Sequence, residues 1–193
     1  MTIKERQLIS KNIIIISGPS GAGEDSVIKD IVRTMSVEKI ITTTTRDMRK
    51  EDIEGVSYYF ISKKDFQQKI KNNEFVEYAK QYNGNYYGVS KKELLRVAKS
   101  NNIGIWKIEY QGVITAKKLF PNIKSILITA PLEDLEKRIQ KRDNLSSKYV
   151  EERMVYTKEW LKHRDIYDFE VINNDGDLKN AIKETKDIIK HLK

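Results

Sequence analysis

The chain has 193 residues, no cysteine, a charged fraction of 33% and a formal net charge of +8. This length suits one compact domain, and the absence of cysteine excludes disulfides, thiolate metal sites and cysteine nucleophiles. The positive charge is compatible with an anionic partner, but the lysines are scattered so evenly that a solvated basic surface explains it better.

The first strong structural signal is the apolar run at residues 13–16. It is far too short for the core of a signal peptide or for a membrane span, so we expect a cytoplasmic protein without membrane association. Together with its neighbours at residues 12 and 17, it is typical of a buried parallel strand. A glycine-rich turn follows, and the apolar spacing after it predicts a helix over residues 26–35.

Two further strand and helix pairs follow along the chain. Apolar runs at residues 103–108 and 123–129 predict buried strands, and helical patterns follow at residues 112–119 and 132–142. Strands that alternate with helices at this spacing are typical of a parallel α/β sheet. We therefore expect a three-layer α/β core.

The amino-acid composition changes between the first strand and helix pair and the two later ones. Residues 55–61 and 74–87 are rich in tyrosine and phenylalanine, and Asn83-Gly84 is a hairpin-turn signal. This composition predicts a small, mainly antiparallel insert. Ser90 and Glu93 then have the spacing of a capping box, which predicts a helix at residues 91–99.

The last third of the chain contains a charged segment and a final helix. Residues 137–164 are helical in pattern with few apolar anchors, which predicts a mobile lid, and residues 177–192 form an amphipathic pattern. The predicted organisation is one domain over residues 1–193, with a core of 1–40, 90–136 and 165–193, an insert of 41–89 and a lid of 137–164.

The turn after the first strand has the pattern of a phosphate-binding loop. Residues 18–23 read GPSGAG between a buried strand and a helix. In this context glycines let backbone N–H groups point inward, and the helix N-terminus adds positive potential for a phosphate. The alternative, a tight turn of small residues without a ligand, is less compatible with the strand–loop–helix order.

The residues after this loop depart from the usual signature. That signature continues with Lys and then Ser or Thr, whereas here Glu24 and Asp25 occupy those positions and Ser26 comes one place later. Exchanging the phosphate-binding cation for a carboxylate replaces attraction with repulsion, a change of several kcal/mol at a few ångströms. We therefore expect weak binding of a bare triphosphate at this loop.

Several ordered blocks together resemble the guanylate kinase family, a group of phosphate-loop nucleoside monophosphate kinases. Residues 42–49 (TTTTRDMR) resemble its S-T-T-R-x-P-R block, and the resemblance extends over nearly the whole chain. The other matching blocks are residues 55–60 (GVSYYF), 73–78 (NEFVEY), 84–88 (GNYYG), 108–112 (IEYQG) and 172–175 (INND).

The resemblance implies a GMP-binding insert. Guanine presents two donors that adenine lacks, so a selective site needs acceptors, and the family pattern assigns this role to two carboxylates. Val89 replaces a small hydroxyl residue of the family, so one base contact is missing or is made by Ser90 instead. The implied GMP ligands are Thr42, Arg46, Arg49, Tyr58, Glu77, Tyr87 and Glu109.

On the ATP side the resemblance implies a loop site and a set of phosphate-stabilising cations. Lys107 stands where the family has an acidic residue, while Glu24 stands where it has the loop lysine. Two explanations stay open, a charge swap in which the two residues pair, or independent decay of an unused site. We favour the swap, because independent decay need not reverse both signs. The implied loop residues are Gly18, Ser20, Gly21, Ala22, Gly23, Glu24, Asp25, Ser26 and Asn173, and the implied catalytic residues are Lys107, Arg138, Arg142 and Arg153.

The activity implied by the resemblance is transfer of the γ-phosphoryl group of ATP to GMP, with Mg²⁺ accompanying ATP. The alternative is a catalytically silent domain that binds GMP or an acidic or phosphorylated partner. The absence of a concentrated basic stretch with interleaved aromatics argues against nucleic-acid binding. We expect a monomer or a homodimer.

Overall fold

The computed structural model describes residues 1–81, 84–143 and 147–192, and within these no side chain is described for Arg142, Asp143 or Ser147. Asn83, half of the hairpin signal, therefore lies outside the described residues. The strands are β1 (Ile13–Ser17), β2 (Val37–Lys39), β3 (Thr43–Thr44), β4 (Tyr59–Phe60), β5 (Phe75–Lys80), β6 (Tyr86–Ser90), β7 (Ile103–Lys107), β8 (Lys124–Thr129) and β9 (Phe169–Ile172). The α-helices are α1 (Ile3–Asn12), α2 (Glu24–Thr34), α3 (Lys63–Lys71), α4 (Lys91–Ala98), α5 (Tyr110–Leu119), α6 (Leu132–Asp143), α7 (Ser147–Leu161) and α8 (Leu178–His191).

The central sheet is parallel throughout, with the strand order β2-β7-β1-β8-β9. Because side chains alternate along a strand, Ile14 and Ile16 pack with α2 and α8, while Ile13 and Ile15 pack with α1, α4 and α5. Each buried isoleucine contributes roughly 1.5–3 kcal/mol. The predicted three-layer α/β core is therefore confirmed.

A second sheet is built from residues 43–90, in the order β4-β3-β6-β5. Its β3–β4 pair is parallel, and its other two pairs are antiparallel. The sheet is joined to the core by Glu93 of α4, whose buried carboxylate accepts from the Ile41 N–H at 2.9 Å and from the Tyr59 hydroxyl at 3.2 Å. The prediction of a mainly antiparallel insert is confirmed.

This use of Glu93 corrects the predicted capping box. Ser90 Oγ accepts from the Glu93 N–H at 3.1 Å, as an N-cap does. The Glu93 carboxylate, however, bonds Ile41, Tyr59 and Arg96 instead of returning to the cap backbone. A complete capping box forms elsewhere, between Thr2 and Glu5 of α1, a helix that the sequence analysis did not predict because only Ile9 of that helix is buried.

The charged segment forms α6 and α7, and it has a stronger anchor than its sequence suggested. Trp160 of α7 is only 4% exposed and packs with Tyr110 and Leu127. Its indole N–H donates to the Tyr167 hydroxyl at 3.0 Å, and that hydroxyl lies 3.0 Å from Ser17 Oγ at the end of β1. The C-terminal end of α7 is thus fixed to the core. Among the described residues, no helix is long and apolar enough to cross a membrane.

Candidate nucleotide-binding site

The glycine-rich loop joins the buried strand β1 to α2, and its glycines are required by close backbone approach. A Cβ on Gly18 would lie 2.6 Å from the carbonyl oxygen of Ile128. Gly21 and Gly23 have φ angles of 84° and 87°, in the left-handed region that favours glycine. Ala22 is buried, Ser20 is half-buried and Ser26 is exposed. The loop therefore has the conformation expected of a phosphate loop, with its backbone at the N-terminus of α2.

Two acidic side chains occupy the position that a phosphate loop offers to an anion. Glu24 and Asp25 lie in the first turn of α2, where the helix dipole favours negative charge. Lys107, the last residue of β7, places its Nζ 2.6 Å from Asp25 Oδ1 and 3.3 Å from Glu24 Oε1. Two carboxylates and one ammonium give this cluster a net charge of −1. Lys107 thus contacts both acids, and Asp25 is the nearer of the two.

The pKa shifts in this cluster follow from its composition. Burial alone lowers the pKa of the Lys107 ammonium, but the carboxylates of Glu24 and Asp25 raise it above its ordinary value. Burial raises the pKa of Glu24, and although Lys107 opposes this shift, the negative charge of Asp25 adds to it. The two carboxylates therefore stabilise the charged form of Lys107. Glu24 is the more buried of the two acids, and the single ammonium does not fully offset the cost of burying its carboxylate.

The outer side of the loop is braced by Asn173, which follows β9, and by Arg138 from the middle of α6. Asn173 is 4% exposed, and its Nδ2 donates to the Ala22 carbonyl at 2.8 Å. Arg138 donates to the Gly21 carbonyl at 3.2 Å and to the Asn173 carbonyl at 2.9 Å. Among the described residues, Asn173 Oδ1 is buried without a hydrogen-bond partner. Both residues therefore lie against the loop, and Arg138 supports its backbone.

A cationic and phenolic cluster lies in the insert. The Arg46 guanidinium lies over the Tyr58 ring, 5.2 Å from its centroid, and the rings of Tyr58 and Tyr87 meet edge to face at 6.0 Å. Arg46 Nη2 also pairs with Asp52 Oδ2 at 2.8 Å, and Asp52 accepts from the Arg49 N–H at the same distance. The Arg49 N–H and the Arg46 guanidinium hold the pKa of Asp52 below its ordinary value.

The resemblance implies that the phosphate of GMP is held by Arg46, Arg49, Tyr58 and Tyr87. These contacts bring three of the four together, and the backbone of Arg49 is joined to them through Asp52. The residue Arg49 itself is exposed. Asp52 was missed by the sequence analysis. Its place three residues after Arg49 carries no signal, because an acid in a charged loop more often faces solvent.

The two predicted guanine acceptors form a second cluster near the N-terminus of α5. Glu109 is the N-cap residue of that helix, and Glu77 Oε2 lies 3.6 Å from the position of a Cβ built on Gly112 in its first turn. Burial, and then the negative charge of Glu109, raise the pKa of Glu77 to about 7. A carboxylate pair of this kind is strained electrostatically without a donor, which suits a ligand that presents N–H groups.

Glu109 has two partners that the sequence analysis did not predict. Its Oε2 accepts from the Tyr156 hydroxyl of α7 at 2.6 Å, and its Oε1 accepts from Gln81 Nε2 at 3.2 Å. Burial and the bond to Glu109 raise the pKa of Tyr156 far above its ordinary value, so the phenol remains a donor. Tyr156 joins the lid helix directly to a candidate base-binding residue.

The remaining predicted base contacts are placed as follows. Thr42 is half-buried, and its carbonyl accepts from the Tyr59 N–H at 3.0 Å. Val89 is fully buried in the core, and Ser90 Oγ accepts from the N–H of Glu93. The Ser90 hydroxyl oxygen is therefore engaged as a helix N-cap, its proton is still available to a ligand, and a role of Ser90 in place of Val89 stays a prediction.

The phosphate cluster and the loop cluster lie within electrostatic reach of each other. Burial raises the pKa of the Tyr58 phenol, and the positive charges of Lys107 and Arg46 oppose that shift. Tyr58 thus lies within electrostatic reach of both clusters. This arrangement follows from topology, because β1, β2 and β7 are parallel and their carboxyl ends meet at one edge of the sheet, where ligands bind in open α/β folds.

The predicted lid arginines differ in their surroundings. Arg153 of α7 donates from Nε to the Tyr149 hydroxyl at 3.0 Å and lies over the Tyr149 ring at 5.1 Å. The side chain of Arg142 lies outside the described residues, although its backbone belongs to α6. Arg138 is held against the loop, so the two arginines whose side chains are described contact different parts of the protein.

Among the described residues, the loop is not flanked by a group of carboxylates and histidines that could hold a metal ion. Within the described residues, no group of three or more His, Cys, Asp or Glu side chains could hold a metal ion. The two carboxylates nearest the loop, Glu24 and Asp25, already share the Lys107 ammonium, which lies where a metal cation would otherwise bind between them.

Comparison with known proteins identifies the family. The guanylate kinase family model matches residues 10–192. The guanylate kinase of Mycoplasmoides gallisepticum is 35% identical over 180 residues, covering 92% of this chain and 91% of that protein. The guanylate kinase of Histophilus somni is 39% identical over 173 residues, covering 86% and 82%. The crystal structure of guanylate kinase from Anaplasma phagocytophilum superposes with a TM-score of 0.72 at 24% identity, covering 94% of this chain and 86% of that chain, and supports the fold. The chain belongs to the guanylate kinase family.

Proposed function

We propose that this protein transfers the γ-phosphoryl group of ATP to GMP, giving ADP and GDP. The observation that carries the proposal is a cation with two phenols and a pair of carboxylates that are linked by the second sheet, because Tyr87 of β6 and Glu77 of β5 lie on paired strands. The first group consists of Arg46, Tyr58 and Tyr87, and the second of Glu77 and Glu109. Phosphate oxygens match the first group, and the donor edge of guanine matches the second.

Base selection rests on the carboxylate pair. Guanine offers an N1–H and a 2-amino group, both donors, whereas adenine presents an acceptor at N1 and has no 2-amino group. Glu77 accepts both donors only when ionised, and since its pKa is about 7, binding of guanine releases a proton below that pH. Adenine would leave the acceptors of Glu77 unpaired, which a desolvated site penalises strongly, whereas Glu109 keeps its bonds from Tyr156 and Gln81.

Transfer itself requires positioning and charge neutralisation, and no covalent intermediate. An oxygen of the GMP phosphate forms a bond to the γ-phosphorus, and the bond from that phosphorus to the bridging oxygen breaks, so that ADP leaves with the electron pair. Arg46 and Tyr58 hold the acceptor phosphate. On closure of the lid, Arg142 and Arg153 neutralise the transferred group and exclude water, while Arg138 keeps the loop backbone in place.

The donor side uses Lys107 in an altered role. Its ammonium is bound to Glu24 and Asp25, so it neutralises part of the loop's own negative charge and leaves a net charge of −1. ATP therefore enters as its magnesium complex, in which the metal, carried by the substrate, lowers the repulsion between the phosphates and these acids. This role corresponds to the charge swap expected between Glu24 and Lys107, with Asp25 as a second partner of the lysine.

A second candidate function follows from the same net charge of −1. A loop whose own acids occupy the helix N-terminus favours a domain that binds GMP, or a phosphorylated partner, without transferring phosphate. The insert would then act alone, and its phosphate cluster would be the binding surface.

A coupled assay for ADP release separates the two functions. With Mg-ATP, the proposal predicts ADP release that depends on added GMP and that AMP does not replace. Binding of GMP without GMP-dependent ADP release would favour the second function. Equal stimulation by GMP and AMP would contradict the substrate assignment in both.

A further inference from the structure

Lys39 is a charged residue at the ligand edge of the sheet that neither the loop nor the GMP cluster includes. It is the last residue of β2 and is half-buried. Its register partner on β7 is Ile105, two residues before Lys107. Because residues two apart share one face of a strand and parallel partners lie side by side, Lys39 and Lys107 project from the same face of the sheet.

The side chain of Lys39 reaches the phosphate cluster. Its Nζ lies over the Tyr58 ring, 6.0 Å from the centroid, and the same ring is covered by Arg46 at 5.2 Å. Within the described part of the chain, no carboxylate lies within ion-pair distance of Lys39. Its surroundings thus differ from those of Lys107, which is bound to two acids.

An ammonium placed this way is costly for the free protein. Burial, and then the positive charge of Lys107, lower the pKa of Lys39, while the more distant Asp25 only partly opposes this shift. A half-buried charge without a partner is retained at the expense of stability. Lysine is also a compact point charge that binds phosphate without requiring a fixed geometry. An anionic ligand between Lys39, Arg46 and Tyr58 would supply the missing partner.

We infer that Lys39 binds the phosphate group of a nucleotide in this cleft and supplies positive charge that the loop lacks at Glu24. The inference rests on the proposed function and names a further phosphate-binding residue for it. Lys39 is at the end of β2, whereas the usual lysine is at the start of α2, so the cation approaches the phosphates from the GMP side of the cleft. The plain alternative is a lysine whose stem packs against Tyr58 while its ammonium reaches water.

The test compares Lys39→Met, Lys39→Arg and the exposed control Lys64→Met with the unaltered protein. Calorimetry measures binding of GMP and, separately, of inorganic pyrophosphate, which needs neither guanine recognition nor transfer. Lys39→Met should weaken both ligands by at least about tenfold, the effect of losing a hydrogen bond to a charged group. Lys39→Arg should recover part of that loss, and Lys64→Met should bind as the unaltered protein does.

Thermal unfolding without ligand separates a binding role from a packing role. Loss of an unpaired half-buried charge should leave the Tm of Lys39→Met unchanged or higher, whereas a packing role predicts a lower Tm with no recovery in Lys39→Arg. Unchanged affinity for both ligands in Lys39→Met would overturn the inference. If the unaltered protein binds pyrophosphate but no GMP, the proposed function fails while the pyrophosphate comparison still decides the role of Lys39. Binding of neither ligand contradicts both.

Discussion

The GMP cleft and the phosphate loop use the same kinds of charged residue in opposite ways. In the cleft, Arg46 is paired with a single acid, Asp52, and is stacked on Tyr58. At the loop, Lys107 is shared by Glu24 and Asp25, and the helix N-terminus already faces these two carboxylates. With Lys39 over the same Tyr58 ring, the Arg46 cluster has a net positive charge, whereas the loop cluster keeps a net charge of −1.

This difference shows that a phosphate-loop backbone and an altered electrostatic field can coexist. Gly21 and Gly23 keep the left-handed conformations that a phosphate loop requires. The charge that the loop offers is nevertheless set by the next two side chains and by Lys107 on a different strand. Backbone shape and the charge at the loop are therefore set by different residues, and substitutions can change them separately.

The largest effect is expected at Lys107. Replacing it with Met leaves Glu24, whose side chain is 14% exposed, beside Asp25 without a cation. An uncompensated buried charge costs on the order of 3–5 kcal/mol in the free energy of unfolding. Because this cluster is partly exposed, we expect a loss of about 3 kcal/mol, the lower end of that range. Urea unfolding measures it. Lys162→Met, which removes an exposed pair with Glu159, is the control and should cost less than about 1 kcal/mol.

A double-mutant cycle distinguishes a swap from independent decay. On the swap hypothesis, Glu24→Lys and Lys107→Asp each lose stability or ATP affinity, and the double variant recovers much of it. Asp25 is the nearer partner of Lys107 and competes with Glu24 for its ammonium. The cycle is therefore repeated in an Asp25→Ser background, where the coupling between Glu24 and Lys107 should be larger. Additive effects in both backgrounds would indicate decay, and Glu24→Lys alone would then improve ATP binding.

Arg46 should have the next largest effect, on GMP binding. Arg46→Lys keeps a positive charge beside Asp52 but loses the planar fork that matches phosphate oxygens. We expect GMP affinity to fall about 100-fold by calorimetry, with little change for guanosine, which lacks the phosphate. Arg33→Lys, at an exposed position on α2, is the matched control. An equal loss for guanosine would show that Arg46 supports the fold of the insert and not the phosphate.

Glu77 predicts a pH dependence with a defined sign. Its pKa in the folded protein is about 7, above its ordinary 4.5, so the folded state holds a proton that the unfolded state has released. The unaltered protein should therefore lose stability, relative to Glu77→Gln, as the pH rises from about 4.5 to about 7, and should remain less stable than that variant above this range.

GMP affinity should change in the opposite direction with pH. It should rise up to about tenfold per pH unit toward neutrality, because binding requires ionised Glu77. The GMP phosphate also titrates, at about pH 6. Glu77→Gln is the control, because in that variant the pH dependence of GMP affinity comes from the phosphate and not from residue 77. Identical pH profiles in the two proteins would remove Glu77 from the base site.

The smallest effect is expected at Tyr156. Its hydroxyl holds Glu109 Oε2 at 2.6 Å, and a carboxylate has enough lone pairs to keep this bond while it accepts from guanine. Tyr156→Phe should weaken GMP about fivefold, the value of one hydrogen bond of about 1 kcal/mol. Tighter binding of GMP would instead mean that Tyr156 competes with the base for Glu109.

Much of this architecture could be predicted from local pattern. The run at residues 13–16 predicted a strand buried on both faces, and the aromatic stretches of residues 55–61 and 74–87 predicted a second, mainly antiparallel sheet. These features are local, since periodicity and glycine position depend on neighbours in the chain. The expected proximity of Glu24 and Lys107 came from topology, because strands of one parallel sheet end at the same edge.

The contacts that could not be predicted join distant side chains with no pattern of their own. Tyr156 meets Glu109 only because Trp160, on the same helix, packs against Tyr110 and Leu127. Asp25 is nearer to Lys107 than Glu24 is, a detail set by side-chain direction in the first turn of α2. The roles of the predicted catalytic residues, the cytoplasmic location and the oligomeric state stay predictions.

Calorimetric titration of the unaltered protein with GMP and with AMP tests the central claim most directly, namely that the insert is a working guanine nucleotide site beside an altered loop. The proposed GMP contacts do not include the loop, so the result depends on Glu77, Glu109 and the Arg46 cluster, together with Lys39. The account predicts GMP binding in the micromolar to millimolar range and AMP binding at least about 100-fold weaker. Equal affinities for GMP and AMP would contradict it.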